Sequence, residues 1–144
     1  MNIVQAIKDV DNVLININAI SVEAIIENKA EIIDLNTSQL SIGLNAQGEQ
    51  ISPEYQNPDY ASLKKSIGSK SPLGVPDLKL EGDFYSGFDI VKRGDMAWID
   101  SKDEKTPKLE RKYDFIFGIM PRNWNEFLRI IFPSLRRKVL NRLI

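Results

Sequence analysis

The chain contains neither cysteine nor histidine, and these two absences exclude more chemistry than any residue it does contain. Without cysteine there is no disulfide framework, no thiolate metal site and no thiol nucleophile, a composition that fits a reducing compartment. Without histidine the commonest general base near neutral pH is gone, together with the Ser-His-Asp constellation and the usual zinc and non-haem iron ligands. Long apolar runs are missing too. The first twenty residues are broken by Lys8, Asp9 and Asp11, so neither a signal peptide nor a membrane span is expected. No G-x-G-x-x-G, phosphate loop, nucleophile elbow, HExxH or CxxC occurs. The expectation is a cytoplasmically made protein with no cofactor, no metal site and no catalytic residue.

What is present suits one soluble domain: 144 residues, 42% hydrophobic and 27% charged, with a formal net charge of -1. The even total hides a gradient. Residues 1–60 carry two lysines against nine carboxylates, and residues 121–144 carry six cations against Glu126 alone. Such polarity is met either within one molecule, by the tail packing on the N-terminal helices, or between neighbouring subunits.

The periodicity predicts an α+β fold. In residues 1–35, Ile3, Ile7, Val10, Leu14 and Ile17 trace one amphipathic helix that ends near Asn16 and is expected to face the core. Ser21 opens a second helix reaching about Leu35, as an antiparallel partner or as the continuation of one bent helix. Residues 36–120 form the core. Leu40, Ile42 and Leu44 read as a short strand or a single helical turn, and Gly48 to Pro53 as a turn with an extended leg. Asn57-Pro58 caps a helix that stops at Gly68, and Ser69 to Asp77, with its prolines and glycine, reads as an exposed mobile loop.

Residues 78–118 hold more than half of the twelve aromatic residues. Phe84, Ser86, Phe88 and Ile90 alternate as a strand, Lys92-Arg93-Gly94-Asp95 makes a turn, and Met96 to Ile99 returns as the second arm of an antiparallel hairpin. Gly82 and Gly87 mark a bulge or a close backbone approach. Thr106-Pro107 opens a helix to about Tyr113, and Phe115 to Met120 is apolar enough to be buried or to form an interface. In residues 121–144, Asn123 and Glu126 have capping-box spacing. Trp124, Leu128, Ile131, Leu135 and Val139 then make a helical stripe, kinked or split at Pro133.

Candidate partner contacts are Lys92, Arg93 and Asp95 at the hairpin tip, and Arg136, Arg137, Lys138 and Arg142 on the last helix. The second group also suits a helix C-terminus or phosphate contact, with nucleic acid the weaker reading given the neutral whole. Glu81, Asp83, Asp89 and Asp95 could supply a carboxylate pair for hydrolysis. Asp100, Asp103 and Glu104 match no calcium loop.

Gly48-Glu49-Gln50-Ile51-Ser52-Pro53, then Tyr60-Ala61 with Lys64, then Leu78 to Leu80 before Glu81-Gly82-Asp83-Phe84, then the hairpin, then Tyr113 to Gly118 and a final helix follow a recognisable order. That order resembles the small structural proteins of tailed bacteriophages, the virion-morphogenesis and tail-completion group related to phage Mu gpG, and the minor neck proteins. Ile51 stands where the group has tryptophan, and Glu81 where it has threonine. The resemblance covers about residues 36–144. It implies a non-enzymatic virion component, a homo-oligomeric ring in the neck or at the tail end, bound to a portal, adaptor or tail-tube protein. On this reading the acidic and basic ends meet across subunits, and reversing Arg136, Arg137 and Lys138 to glutamate stops assembly of a still-folded monomer.

Overall fold

A computed structural model describes residues 2–79 and 82–143. Leu80 and Glu81, parts of the resemblance and of the carboxylate reading, lie outside the described residues.

Three helical pieces follow end to end: α1 (Ile3–Ile15), α2 (Ile17–Glu27) and α3 (Lys29–Ser41). Asn2 caps the first, its side-chain oxygen accepting from the Val4 and Gln5 amides at 3.0 and 3.2 Å. The joints are Asn16 and Asn28, whose side-chain amides turn back onto the carbonyls of Asn12 and Ala24 at 2.7 and 2.8 Å. Asparagine competes with the helix for backbone partners in this way. The backbone bonds still carry across each joint, from Ile20 to Asn16 and from Ile32 to Asn28, so the helix is interrupted and not ended. The continued helix occurs, not the antiparallel pair.

Beyond Leu35 the sequence predicts a strand or a turn, whereas α3 runs on to Ser41. Leu40 is helical, and only Leu44 makes an isolated bridge, to Gln50. Two buried amides, Asn36 and Gln39, interrupt the apolar pattern of that last helical stretch and hide it from periodicity.

Helix α7 (Trp124–Leu143), entered through a tight turn at Pro121–Asn123, lies antiparallel along this rod. Asn123 donates to Gln39 at 3.1 Å and Asn28 donates to Ser134 at 2.9 Å, while Leu143 reaches the side of Ala6 and Val10. The expected capping box does not form among the described residues: the Asn123 side-chain NH2 donates to Gln39, and the Glu126 carboxylate pairs with Arg129 at 2.9 Å and does not reach back to residue 123. Pro133 sits inside the helix without splitting it.

The hairpin pairs β1 (Phe88–Arg93) with β2 (Met96–Ser101), Ile90 opposite Ile99 and Val91 opposite Trp98. Phe84 to Ser86, read as strand, instead form a single helical turn, Asp83–Ser86 (α5), preceded by Gly82 at φ 90°. That turn sets Phe84 and Phe88 four residues apart on one side, and their rings meet edge-on with centroids 5.0 Å apart. Of the two readings of Gly87, close approach is what occurs: a Cβ there would stand 2.6 Å from the Ser101 hydroxyl and 2.9 Å from the Asp103 amide.

Helix α4 (Pro58–Ser66) is capped by Asn57 as the sequence predicts, and α6 (Thr106–Lys112) begins at Thr106. Thr106 gives no cap; its hydroxyl donates to the Ser101 carbonyl at 3.2 Å. One cluster, containing Leu40, Ile51, Phe84, Phe88, Leu109 and Ile116, joins α3, the hairpin base and α6. A second, around Ile32, Ile90 and Ile131, joins the rod, the hairpin and α7. Among the described residues no helix is long and apolar enough to cross a membrane.

Candidate functional site

The basic end of α7 meets acid within its own chain. Arg137 binds Glu27 at 2.7 Å, Lys138 binds Glu27 at 2.6 Å and Glu23 at 3.5 Å, and Arg142 reaches Glu23 at 3.7 Å. Lys138 and Arg137 hold the Glu27 carboxyl below the usual range, the Lys138 hydrogen bond being the largest cause. The two poles of charge therefore meet on α2 at these residues, within one molecule. Reversing Arg137 and Lys138 would set them against Glu23 and Glu27 in the same molecule, so it strikes the α2–α7 contact and does not report on assembly alone. Arg136 is exposed and has no ion pair among the described residues.

At the hairpin tip Lys92, Arg93 and Asp95 are exposed. Arg93 binds Asp100 at 3.1 Å and lies over the Trp98 ring, 5.6 Å from its centroid. Asp89 and Asp100 face each other directly in the register, an unfavourable pair of like charges. Lys29 at 3.1 Å and Lys102 at 3.2 Å neutralise Asp89 while Arg93 neutralises Asp100. The Lys29 hydrogen bond, with that from Lys102, holds the Asp89 carboxyl below its ordinary value. A general acid needs the opposite shift. Asp83 is exposed at the start of α5. Among the described residues no group of three or more acidic side chains is placed to hold a metal ion.

The Asp89 pairing gives a pH dependence of fixed sign. Because its folded pKa is depressed below the ordinary 3.8, the contribution is complete above that value and is lost as pH falls through the folded one. Asp89→Asn is expected to flatten the fall in melting temperature below about pH 5, relative to the unaltered chain. Thermal unfolding from pH 7 to pH 3 checks it, and parallel curves would count against it.

The α1 stripe expected in the core is on the surface instead. Ile3, Ile7, Val10 and Leu14 are 71, 58, 47 and 61% exposed, while Val13 and Ile20 turn inward. The α7 stripe divides in the same way: Ile131 is buried, but Trp124, Leu128 and Phe132 stand outside on one face. Isolated surface apolar residues are ordinary, but rows at helical spacing are the pattern of interaction faces.

Two features escaped the sequence reading. The 69–77 loop is largely internal, with Ser71, Val75, Pro76 and Asp77 buried. Asp77 forms a buried ion pair with Lys64 of α4 at 2.8 Å and accepts from Ser69 at 2.9 Å and from the Lys79 amide at 3.0 Å. Tyr85 donates to the Asp77 carbonyl. Burial, reinforced by the nearby Asp77 carboxylate, pushes the Tyr55 and Tyr85 phenols well above their usual range. The second feature is a groove of about 690 Å³ between α4 and α6, floored by Leu109 and edged by Tyr60, Leu63 and Ile67. Residues about forty to fifty positions apart make its walls, so no local pattern announces it.

Comparison with protein-family models, curated proteins and solved structures finds no match for this chain.

Proposed function

We propose that this chain is a structural subunit that acts by assembling with copies of itself, a virion component of the neck or tail-completion kind its sequence resembles. The observation that carries this is the aliphatic row on α1: four residues at helical spacing, each about half or more exposed, on a helix whose other face already packs on α7. Leaving such a row in water costs roughly 1.5–3 kcal/mol per large side chain relative to burying it, so covering it drives association. The exposed row Trp124, Leu128 and Phe132 and the hairpin tip offer further contact to a portal, adaptor or tail-tube partner. Two further readings have less in their favour. A phosphate-binding tail would draw on cations already committed to Glu23 and Glu27, and a hydrolase on an aspartate flanked by two lysines.

Negative-stain microscopy and sedimentation of the purified chain are expected to show closed rings in equilibrium with subunits. Ile7→Asp with Leu14→Asp is expected to leave the circular dichroism spectrum unchanged and reduce assembly at least tenfold. A single subunit at every concentration would sink the proposal.

A further inference from the structure

Resting on the self-assembly reading, we propose that the groove between α4 and α6 receives helix α1 of a second copy of this chain. The groove's exposed edge is aliphatic, with Leu63 and Ile67 at 53 and 70%. Along its α6 side stand Lys105, Lys108 and Lys112, spaced by three and four residues and so sharing a face. None of the three is in an ion pair among the described residues. Lys112 lies over the Tyr113 ring, 5.4 Å from its centroid, and ammonium groups without a carboxylate beside exposed aliphatic surface fit an amphipathic helix that brings one with it.

Helix α1 has that chemistry. Its row Ile3, Ile7, Val10 and Leu14 is uncovered, and Asp11 stands one turn beyond Ile7 with no ion pair among the described residues; Lys8 lies farther round the helix. Asp9 lies away from the row, toward Leu143, and accepts from Gln5 at 2.9 Å. The row is about 16 Å long, and α4 and α6 offer walls of about 10–14 Å, at 1.5 Å per residue. One molecule's own α1 does not reach its own groove. It packs on α7 and α2, whereas the groove is built on the cluster that holds Leu40, Leu109 and Tyr113. The helical path from Leu14 to Leu40 is about 40 Å. A donor face at one end of the rod and an acceptor at the other make a heterologous contact, the kind that propagates head to tail and closes into a ring when the rotation allows.

The absence of native cysteine makes introduced thiols unique reporters. Full-length Ile7→Cys and Ile67→Cys chains, mixed and oxidised, are expected to give a disulfide-linked dimer containing one of each, at least tenfold above either chain alone. Adding Leu63→Asp to the Ile67→Cys chain is expected to remove that product. A dimer formed by Ile7→Cys alone, meaning α1 against α1, or no cross-link at all, would overturn the docking. Microscopy of the unaltered chain separates the two failures. Rings without the mixed cross-link leave self-assembly standing and remove this interface, while no rings and no cross-link remove both.

Discussion

Asp77→Asn is expected to destabilise the fold by about 3–5 kcal/mol, the cost of leaving a buried cation without its counter-ion. The pair is well enclosed: the Lys64 and Asp77 side chains are 9 and 4% exposed, with 2.8 Å between the charged atoms. Lys64 also donates to the Lys79 carbonyl at 2.7 Å, so the ammonium group is held in place when the carboxylate goes. Asparagine keeps the shape of aspartate and, with its oxygen in the Oδ1 place, the acceptor for the Lys79 amide; its NH2 then faces the Ser69 hydroxyl, which accepts from it and donates to Ser71 instead, so the loss reports mainly the charge. Removing both charges, Lys64→Met with Asp77→Asn, is expected to cost less than Asp77→Asn alone. A buried pair barely repays its desolvation, whereas half a pair repays none. Urea unfolding of the unaltered chain and these two variants at constant m-value measures this. A shift under about 1 kcal/mol for Asp77→Asn would mean that Val75, Leu78 and the Ser71–Val75 contact hold the 69–79 segment without the ion pair. Because Lys64 lies on the helix that forms one groove wall, the same substitution is expected to weaken assembly.

That buried pair also shows where reading along the chain stops. The hairpin was legible because its signals are local: a polar break containing glycine, Lys92 to Asp95, between apolar arms; pairing then continues to Arg93 and Met96, which leaves Gly94 and Asp95 as the turn. So was the start of α4, where Asn57 and Pro58 act within three residues of each other. The 69–77 loop carries the composition of exposed loops, yet it is internal. Its burial depends on Lys64, and lysine goes inside only when a distant carboxylate meets it. Helix α1 failed differently. Its period was read correctly, but a row of isoleucine and leucine states only that one side avoids water, and whether the cover is the same chain or another is absent from the pattern. The strand start at Phe84 failed because alternation over four residues cannot separate a helical turn from extended chain, and Gly82 and Gly87 decide it. The groove, built from α4 and α6, was never in reach.

Gln39→Leu, nearly isosteric, is expected to cost about 2–5 kcal/mol, because it orphans two buried backbone groups at once. The apolar run Phe115 to Met120 has no strand partner and no helix, so its amides and carbonyls need bonds from elsewhere. Ala46, Asn123 and Trp124 bond the carbonyls of Phe115, Met120 and Ile119, and helix α3 supplies four more bonds. Asn36 donates to the Ile116 carbonyl at 3.0 Å and accepts from the Gly118 amide at 2.9 Å. Gln39 donates to the Gly118 carbonyl at 3.0 Å and accepts from the Met120 amide at 2.9 Å. Two side-chain amides three residues apart thus imitate the edge of a sheet. With leucine at 39 the Met120 amide and the Gly118 carbonyl lose their partners, and Asn123, the last residue before α7, loses its anchor. Gln39→Glu loses the donor and buries an unpaired carboxylate with one oxygen against the Gly118 carbonyl, so a loss at least as large is expected. Exposed Gln50→Leu is the control and belongs within about 0.5 kcal/mol of the unaltered chain. Hydrogen exchange at the Met120 amide should quicken in Gln39→Leu before global unfolding does, since the break is local. If stability and exchange are both unchanged, water reaches this segment, and α7 is held to the rod by its apolar face and its glutamate contacts alone.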